Sequence, residues 1–258
     1  MTLAVDIGNT NIVVALHWEG HWSNLYRFET KEPQPEYYYS SALRQILLES
    51  SVTTPQVRRV IVSSVVPELT SLICGAVRQA MDIAPIVLGP DIFLQLDIPV
   101  PHPYEIGSDL VANAYGALKT VAQHCLVVDF GTALTFTAVS FDEGISGVTI
   151  APGIKTAFHS LSLRTAQLPS VPVEFPPSAL GKDTITAIQS GVMWGYIGLV
   201  KELVYRIKQE VGEQYVTVAT GGLSSLMDKE EALFEHRNPH LTLDGMRCIA
   251  DFLELKRG

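Results

Sequence analysis

The chain has 258 residues, of which 47% are hydrophobic and 17% charged, so it can bury a substantial core and is not a disordered protein. Its net charge is −9 and no stretch is rich in lysine or arginine, which argues against a nucleic-acid partner. The three cysteines are scattered, which indicates neither a disulfide framework nor a zinc site and favours a reducing, cytoplasmic setting. We find no basic-then-apolar leader and no apolar run long enough to span a membrane, so we expect no membrane partner.

A turn between two apolar strands is the first feature of the chain. Residues 2–6 and 11–17 are predicted strands, and Asp6, Gly8 and Thr10 lie between them, a pattern typical of a hairpin. Gly8 lets a ligand approach the backbone, while Thr10 and the N–H groups of the turn can donate to phosphate oxygens. Asp6 can hold a cation that partly neutralises those phosphates.

The segment that follows is predicted to alternate strands and helices. Composition rich in β-formers between turn signals predicts strands, and an apolar stripe behind Pro67 predicts a helix that starts there. The predicted strands are 23–28, 59–64 and 86–88, the predicted helices are 36–50 and 67–81, and prolines predict an extended loop over 95–106.

A helix is predicted from Ser108 to about Gln123, with Ser108 as its N-cap. Asp109 then lies in the first turn, where the helix dipole and the free N–H groups favour an ionised carboxylate. Such a carboxylate can take a proton from a substrate hydroxyl. Capping of the helix is the alternative explanation of Asp109.

The turn recurs in the second part of the chain. Residues 125–140 repeat the pattern of strand, Asp-x-Gly-Thr and strand, with Asp129, Gly131 and Thr132 in the turn. One copy alone could be an ordinary hairpin. Two copies at matching positions favour a duplicated clamp for phosphate.

The remaining elements complete a second set of strands and helices. We predict a strand that ends in a glycine turn near Gly153, a proline-rich loop over 168–178, and a strand over 216–220. The helices are predicted at 154–164, at 184–209 and after Gly222. Glycines at 191, 195 and 198 on the second of these indicate close helix packing, within the chain or across a dimer.

Gly221 and Gly222 end the predicted strand at 216–220. Backbone without a Cβ can approach a flat ring, so this turn is a candidate nucleoside site. An ordinary strand–helix turn is the alternative.

The pattern of a hairpin sheet plus helices therefore occurs twice. It predicts an α/β protein of two similar halves, 1–115 and 116–258, around a nucleotide cleft. The N-terminal half carries the first phosphate loop and the start of a substrate site. The C-terminal half carries the second phosphate loop, a cation site and the glycine-bearing helix.

Taken together, the motifs resemble the acetate and sugar kinase/heat-shock chaperone/actin superfamily, whose members have a duplicated ribonuclease H-like (actin-like ATPase) fold. Within it, the chain resembles type III pantothenate kinase over nearly its whole length. The motifs that carry this resemblance, in chain order, are Asp6-Ile7-Gly8-Asn9-Thr10, Ser64-Val65-Val66-Pro67, Gly107-Ser108-Asp109, Asp129-Phe130-Gly131-Thr132-Ala133, Pro152-Gly153, Gly181-Lys182-Asp183-Thr184 with Gly191, and Thr220-Gly221-Gly222.

The resemblance implies ATP-dependent phosphorylation of pantothenate to 4'-phosphopantothenate, the first step of coenzyme A synthesis. It implies that Asp109 is the general base, that Asp129 binds K⁺ or NH₄⁺, and that Thr132 contacts ATP. It also implies that one loop holds the ATP phosphates together with Mg²⁺, which Asp6 reaches through ATP. The residues of that loop are Asp6, Ile7, Gly8, Asn9, Thr10, Asn11, Ile12 and Val13.

For pantothenate, the resemblance implies a site lined by Gly107, Ser108, Asp109 and Leu110. Thr184 is implied to reach the substrate from the neighbouring subunit. The family therefore implies a homodimer with its sites at the interface.

Two positions depart from the family pattern. The family has Arg after the catalytic Asp, where this chain has Leu110, and a Tyr where it has Val100; Tyr104 is the nearest tyrosine. On charge alone, Lys155 or Lys182 is a candidate to meet the substrate carboxylate. A kinase of the same fold with another hydroxyl substrate, and a nucleotide-binding regulator without activity, are the alternative functions.

Overall fold

A computed structural model describes residues 1–23, 25–30, 32–164, 169 and 171–256. The chain forms two compact units. The first unit contains Met1–Thr120 and Leu241–Gly258, and the second unit contains Val121–His240.

In the described part of the chain, the strands are β1 Thr2–Ile7, β2 Asn11–Trp18, β3 His21–Trp22, β4 Tyr26–Glu29, β5 Arg59–Ser64, β6 Ile86–Val87, β7 Cys125–Phe130, β8 Ala133–Ser140, β9 Gly144–Pro152, β10 Val216–Thr220 and β11 His236–Arg237. The α-helices are α1 Glu36–Glu49, α2 Pro67–Met81, α3 Pro90–Phe93, α4 Ser108–Val121, α5 Ile154–Arg164, α6 Thr184–Val211 and α7 Leu241–Leu255. Short 3-10 helices lie at Thr54–Gln56 and Ser224–Leu233.

The sheet of the first unit has the order β3-β2-β1-β5-β6, with β4 also paired to β2. β1 runs antiparallel to β2 and parallel to β5, which is in turn parallel to β6. Alternate residues of β1, including Val5 and Ile7, pack into one buried cluster with residues of α1 and α2. α7 packs against β1 and β5 as well.

The sheet of the second unit repeats this arrangement in the order β11-β10-β7-β8-β9. β7 and β8 form an antiparallel hairpin that β9 extends, while β10 and β11 lie parallel on the other side of β7. Each unit is thus a hairpin followed by two parallel strands. The predicted α/β fold with two similar halves is confirmed.

Most predicted elements are confirmed, including the helices at 67–81 and 154–164 with those bounds. The strand predicted at 23–28 is confirmed only over its second half, where β4 Tyr26–Glu29 lies; β3 His21–Trp22 comes before it, and position 24 is outside the described residues. The proline-rich segment has neither helix nor strand at 169 and 171–178, while positions 168 and 170 lie outside the described residues. The helix predicted after Gly222 is confirmed as α7, and the 3-10 helix Ser224–Leu233 precedes it.

The predicted halves, 1–115 and 116–258, stay a prediction of how the chain is duplicated. The compact units follow the packing of the chain, in which α7 contacts strands of the first unit. Within the described ranges, every helix is too short or too polar to cross a bilayer.

Candidate active site

The first turn joins β1 to β2 and is exposed. Ile7 and Ile12 face each other across the hairpin with their side chains buried, so they can meet a ligand only through the backbone. The Gly8 N–H donates to the Asn11 carbonyl at 3.0 Å, and a Cβ on Gly8 would lie 3.3 Å from that oxygen. Asn9, Thr10 and Asn11 are exposed and Val13 is half-buried.

Thr30 braces this turn, a role that the sequence did not predict. Its hydroxyl donates to the Gly8 carbonyl at 2.8 Å, and its N–H donates to the Thr10 carbonyl at 3.1 Å. Both hydrogen bonds are accepted by carbonyl oxygens of the turn. They therefore do not use the N–H groups of the turn, which are the donors that a phosphate needs. A single threonine after a strand has no local signal that would have indicated this role.

Asp6 lies beside the end of β5. Its register partner in β5 is Ser63, and Ile7 is paired with Ser64, so the carboxyl ends of β1 and β5 meet at one edge of the sheet. Because Val5 and Ile7 belong to the cluster on one face of the sheet, Asp6 lies on the opposite face.

Ser108 attaches the start of α4 to the same edge. Its Oγ accepts a hydrogen bond from the Ser64 N–H at 2.9 Å and lies 3.0 Å from the Ser63 Oγ. The predicted N-cap role is wrong, because the Val111 N–H donates to the Gly107 carbonyl at 3.2 Å and the helix therefore starts from Gly107. The Ser108 hydroxyl therefore contacts a strand that is distant in sequence and does not cap the helix.

Asp109 lies in the first turn of α4, as predicted. Its Oδ1 accepts a hydrogen bond from the Leu110 N–H at 2.9 Å, and a Cβ on Gly107 would lie only 2.5 Å from that oxygen. Burial raises the pKa of the Asp109 carboxyl, and the Leu110 N–H partly opposes the rise. A carboxylate with a raised pKa is a stronger base.

Leu110, the departure from the family pattern, is buried, with 9% of its surface exposed. Because Ser108 is bonded to the end of β5, Gly107 and Asp109 on either side of it lie near the edge where β1 and β5 end. The Leu110 side chain packs inward instead.

In the second unit, Asp129 is placed as Asp6 is in the first. It is the penultimate residue of β7 and lies beside Thr220 of β10, its partner in the parallel register. Gly221 has a φ of 88°, and a Cβ there would overlap Oδ1 of Asp129. Gly221 is therefore required by the backbone and by the close approach of the carboxylate, while Gly222 has open space.

The second turn is shorter than the first. Phe130 pairs with Leu134, which leaves three residues between them, whereas four separate Ile7 from Ile12. The Thr132 carbonyl accepts hydrogen bonds from the Gly153 N–H at 3.1 Å and the Thr156 Oγ at 3.0 Å, and the Thr132 side chain is exposed. No local sequence signal indicated the role of Thr156.

Thr184 is the exposed first residue of α6, after the N-cap Asp183. Among the described residues, a Cβ added at Gly191, Gly195 or Gly198 would have nothing within 4 Å, so close packing of these glycines against that part of the chain, one of the two predicted explanations, is wrong. The dimer explanation stays a prediction. Lys155 and Lys182 are exposed.

The acidic residues suit a cation that is shared with a ligand. In the described residues, no three His, Cys, Asp or Glu side chains gather into a group that could hold a metal alone. Single carboxylates such as Asp6 and Asp129 fit hard cations in general. They fit Mg²⁺ in particular, because Mg²⁺ prefers one or two carboxylates together with phosphate oxygens. The donor set therefore fits a cation that arrives with a nucleotide.

The family model for type III pantothenate kinase matches residues 2–206. The chain belongs to the type III pantothenate kinase family. It is accordingly a phosphotransferase that uses ATP with a divalent metal and phosphorylates pantothenate, the activity that defines the family.

Solved structures agree with this fold. A Campylobacter jejuni protein assigned to a Baf family of transcriptional activators has a TM-score of 0.61 at 20% identity, over 98% of this chain and 99% of its own. A Porphyromonas gingivalis protein assigned as an N-acetylglucosamine kinase has a TM-score of 0.54 at 14% identity. The match covers 96% of this chain and 99% of that protein. The activator of the 2-hydroxyisocaproyl-CoA dehydratase of Clostridium difficile, solved with ADPNP, has a TM-score of 0.53 at 12% identity. The match covers 99% of this chain and 97% of that protein.

Proposed function

We propose that Asp109 is the general base with which this kinase phosphorylates the primary hydroxyl of pantothenate. The observation that carries the proposal is the half-buried carboxyl of Asp109, with its raised pKa, one residue after the Ser108 that is bonded to the end of β5. A base must be close to the hydroxyl that receives the phosphate, and the edge of the sheet where β5 ends also carries the Asp6–Val13 loop.

In the proposed reaction, Asp109 accepts the proton of the hydroxyl while the hydroxyl oxygen attacks the γ-phosphorus of ATP. The bond from that phosphorus to the β-phosphate oxygen breaks, and ADP leaves. The loop of residues 6–13 would position the phosphates, and Asp6 would hold Mg²⁺ through ATP. Positioning and neutralisation of charge account for most of the catalysis in such transfers.

In the second unit, we assign Asp129 to a monovalent cation, K⁺ or NH₄⁺, and Thr132 to ATP. Gly221 and Gly222 are assigned to the nucleoside. The support is the position of Asp129 against the Gly221 backbone and the exposed side chain of Thr132.

We further infer a homodimer in which Thr184 reaches the pantothenate bound mainly by Gly107, Ser108 and Asp109 of the neighbouring subunit. Successive helical residues are turned by about 100°, so Thr184 lies on the same side of α6 as Gly191, Gly195 and Gly198. All four are exposed. The three free cysteines support a reducing, cytoplasmic location.

Steady-state release of ADP, with and without pantothenate and with K⁺ replaced by Na⁺, tests these assignments. We expect pantothenate to stimulate turnover, and Asp109→Asn to lose most of it while ATP binding is kept. Near wild-type turnover by Asp109→Asn would contradict its role as base. An unchanged response of Asp129→Ala to K⁺ would place the cation elsewhere.

A further inference from the structure

The C-terminal helix α7 touches the helix that carries Asp109 through backbone atoms. A Cβ on Gly245 of α7 would overlap the carbonyl oxygen of Ala112 in α4. From the other side, a Cβ on Gly116 would lie 2.8 Å from the Gly245 nitrogen and 2.9 Å from the Leu241 carbonyl. Ala112, Gly116 and Gly245 are all buried. At this point the two helices therefore touch through their backbones, with no side chain between them.

A contact between backbones fixes a helix more closely than a contact between side chains. Side chains can change rotamer to absorb a shift, whereas backbone atoms move only with their helix. Ala112 follows Asp109 by three residues in the same helix, about 4.5 Å along the axis. A displacement of α4 at Ala112 therefore moves Asp109 too.

α7 is itself held in place on the sheet of the first unit. Arg59 of β5 pairs with Asp251 and, at 2.6 Å, with Glu254. The Trp22 Nε1 donates to Asp244 Oδ1 at 2.8 Å. These bonds tie α7 to β3 and to β5, and the end of β5 carries part of the candidate site.

α4 is fixed at its other contacts as well. The Ser108 hydroxyl joins its first residue to Ser64. The Tyr115 hydroxyl donates to Asp97 Oδ1 at 2.9 Å, and the Thr242 hydroxyl of α7 donates to Asn113 Oδ1 at 2.8 Å. The helix is thus held between the end of β5 and the glycine contact with α7.

We propose that Gly245 is a positioning residue, through which α7 sets the place of α4 and hence of the Asp109 carboxylate. The proposal rests on the proposed role of Asp109 as base. It gives a catalytic task to a helix that lies outside residues 2–206, the part matched by the family.

Gly245→Ala tests the proposal. The added methyl meets backbone, so either α4 or α7 must shift, and a misplacement of about 1 Å near the reacting groups can cost about 100-fold in rate. We expect kcat to fall by about 10-fold to 100-fold. The KM for ATP should change little, because the phosphate loop joins two strands and is not part of α4 or α7. Gly147→Ala, where the added methyl has open space in strand β9, is the matched control and should keep the wild-type kcat.

A double-mutant cycle with Asp109→Asn separates positioning from general damage. If Gly245 acts through the base, Gly245→Ala should leave the residual rate of Asp109→Asn nearly unchanged. A further loss as large as in the wild-type background would mean a merely structural role and would overturn the proposal. An unchanged kcat for Gly245→Ala alone would overturn it too.

Two results keep the outcomes distinct. If Asp109→Asn retains turnover, the proposed base is wrong whatever Gly245→Ala does; if it loses turnover and Gly245→Ala does not, the base stands and the positioning role falls. Should Gly245→Ala fail to fold, Thr242→Val decides, since it removes only the hydrogen bond to Asn113. We then expect a fall in kcat at unchanged KM for ATP, and an unchanged kcat would overturn the proposal.

Discussion

Gly107 is explained by the side chain that lies over it. The Asp109 carboxylate turns back towards the start of α4, and a Cβ on Gly107 would lie 2.5 Å from its Oδ1. The backbone of Gly107 has no positive φ that would demand glycine. The residue therefore serves to leave room for the carboxylate.

Gly107→Ala should lower kcat strongly while changing stability little. The new methyl meets the end of a flexible side chain, so the carboxylate can move at small cost to folding, but a base moved by about 1 Å can lose about 100-fold in rate. kcat and the melting temperature measure the two effects. Gly89→Ala, also in the first unit and with open space at its Cβ, should change neither. A fall in melting temperature without a fall in kcat would contradict this explanation.

The burial of the Asp109 carboxyl predicts how the stability of the folded chain depends on pH. Because burial raises its pKa in the folded state, the folded chain keeps a proton there over a pH range in which the unfolded chain has lost it. The stability from this group is full below the unfolded pKa of about 3.9 and is lost as pH rises through the raised value. We expect Asp109→Asn, which carries no buried charge, to raise the melting temperature at neutral pH.

Melting temperatures of the wild type and Asp109→Asn, measured from acid to neutral pH, check this. The difference should be largest at neutral pH and shrink as the wild-type carboxyl becomes protonated. A variant that melts lower than the wild type by the same amount at every pH would show that the raised pKa does not govern stability here.

Leu110 occupies the position at which the family has Arg, and the burial of Leu110 predicts what Leu110→Arg would do. A guanidinium there must either be buried without a partner or displace its surroundings, so we expect the free energy of unfolding to fall by about 1–3 kcal/mol. Chemical denaturation measures this, with the volume-conserving Leu110→Met as control. A stable variant with a lower KM for pantothenate would instead mean that this position can still reach the substrate.

Among whole elements, those with local signals could be predicted from sequence. Pro67 at the first turn and an apolar stripe behind it give α2 its bounds. Ser108 shows the limit, because a serine before a helix predicts an N-cap, while its hydroxyl bonds Ser64, which is 44 residues away in sequence. The bond between Thr156 and Thr132 spans 24 residues and was equally out of reach.

Gly221→Ala should disturb the end of β10 and, with it, Asp129. Alanine is strained at a φ of 88°, and its methyl would overlap the Asp129 carboxylate and the Phe130 backbone. We expect a lower melting temperature and a weaker response of turnover to K⁺. Gly147→Ala, in the same unit but with open space, is the control for both measurements. An unchanged response of turnover to K⁺ in a folded Gly221→Ala variant would mean that Asp129 does not bind the cation.

At the scale of the whole molecule, the repeated Asp-x-Gly turn was sufficient to predict a duplicated fold. The pairing shows why, since Asp6 and Asp129 are each the penultimate residue of the strand that lies between a hairpin partner and a parallel partner. The place of α7 could not be predicted in the same way. An amphipathic pattern indicates that a helix packs on something, but the glycine contact with α4 depends on residues more than 100 positions apart.

The exposed side of α6 predicts how the chain assembles. Gly191, Gly195 and Gly198 leave a smooth surface beside the exposed Trp194, and small residues of this kind let another helix approach closely. In a monomer, Gly195→Leu meets open space and replaces a poor helix former, a gain of about 0.8 kcal/mol in propensity. In the proposed dimer the same side chain blocks the approach. We therefore expect Gly195→Leu to be folded, monomeric and inactive with pantothenate, because Thr184 no longer reaches the neighbouring site.

Sedimentation and the ADP-release assay measure this pair of effects. Glu210→Leu is the matched control, since it adds the same side chain to the exposed surface of α6 but 15 residues beyond Gly195, about 22 Å along the helix axis. It should remain dimeric and active. A Gly195→Leu variant that stays dimeric and active would mean that the glycines do not form the interface. One that is monomeric yet fully active would separate assembly from catalysis and remove Thr184 from the site, because a residue supplied by a second subunit cannot act in a monomer.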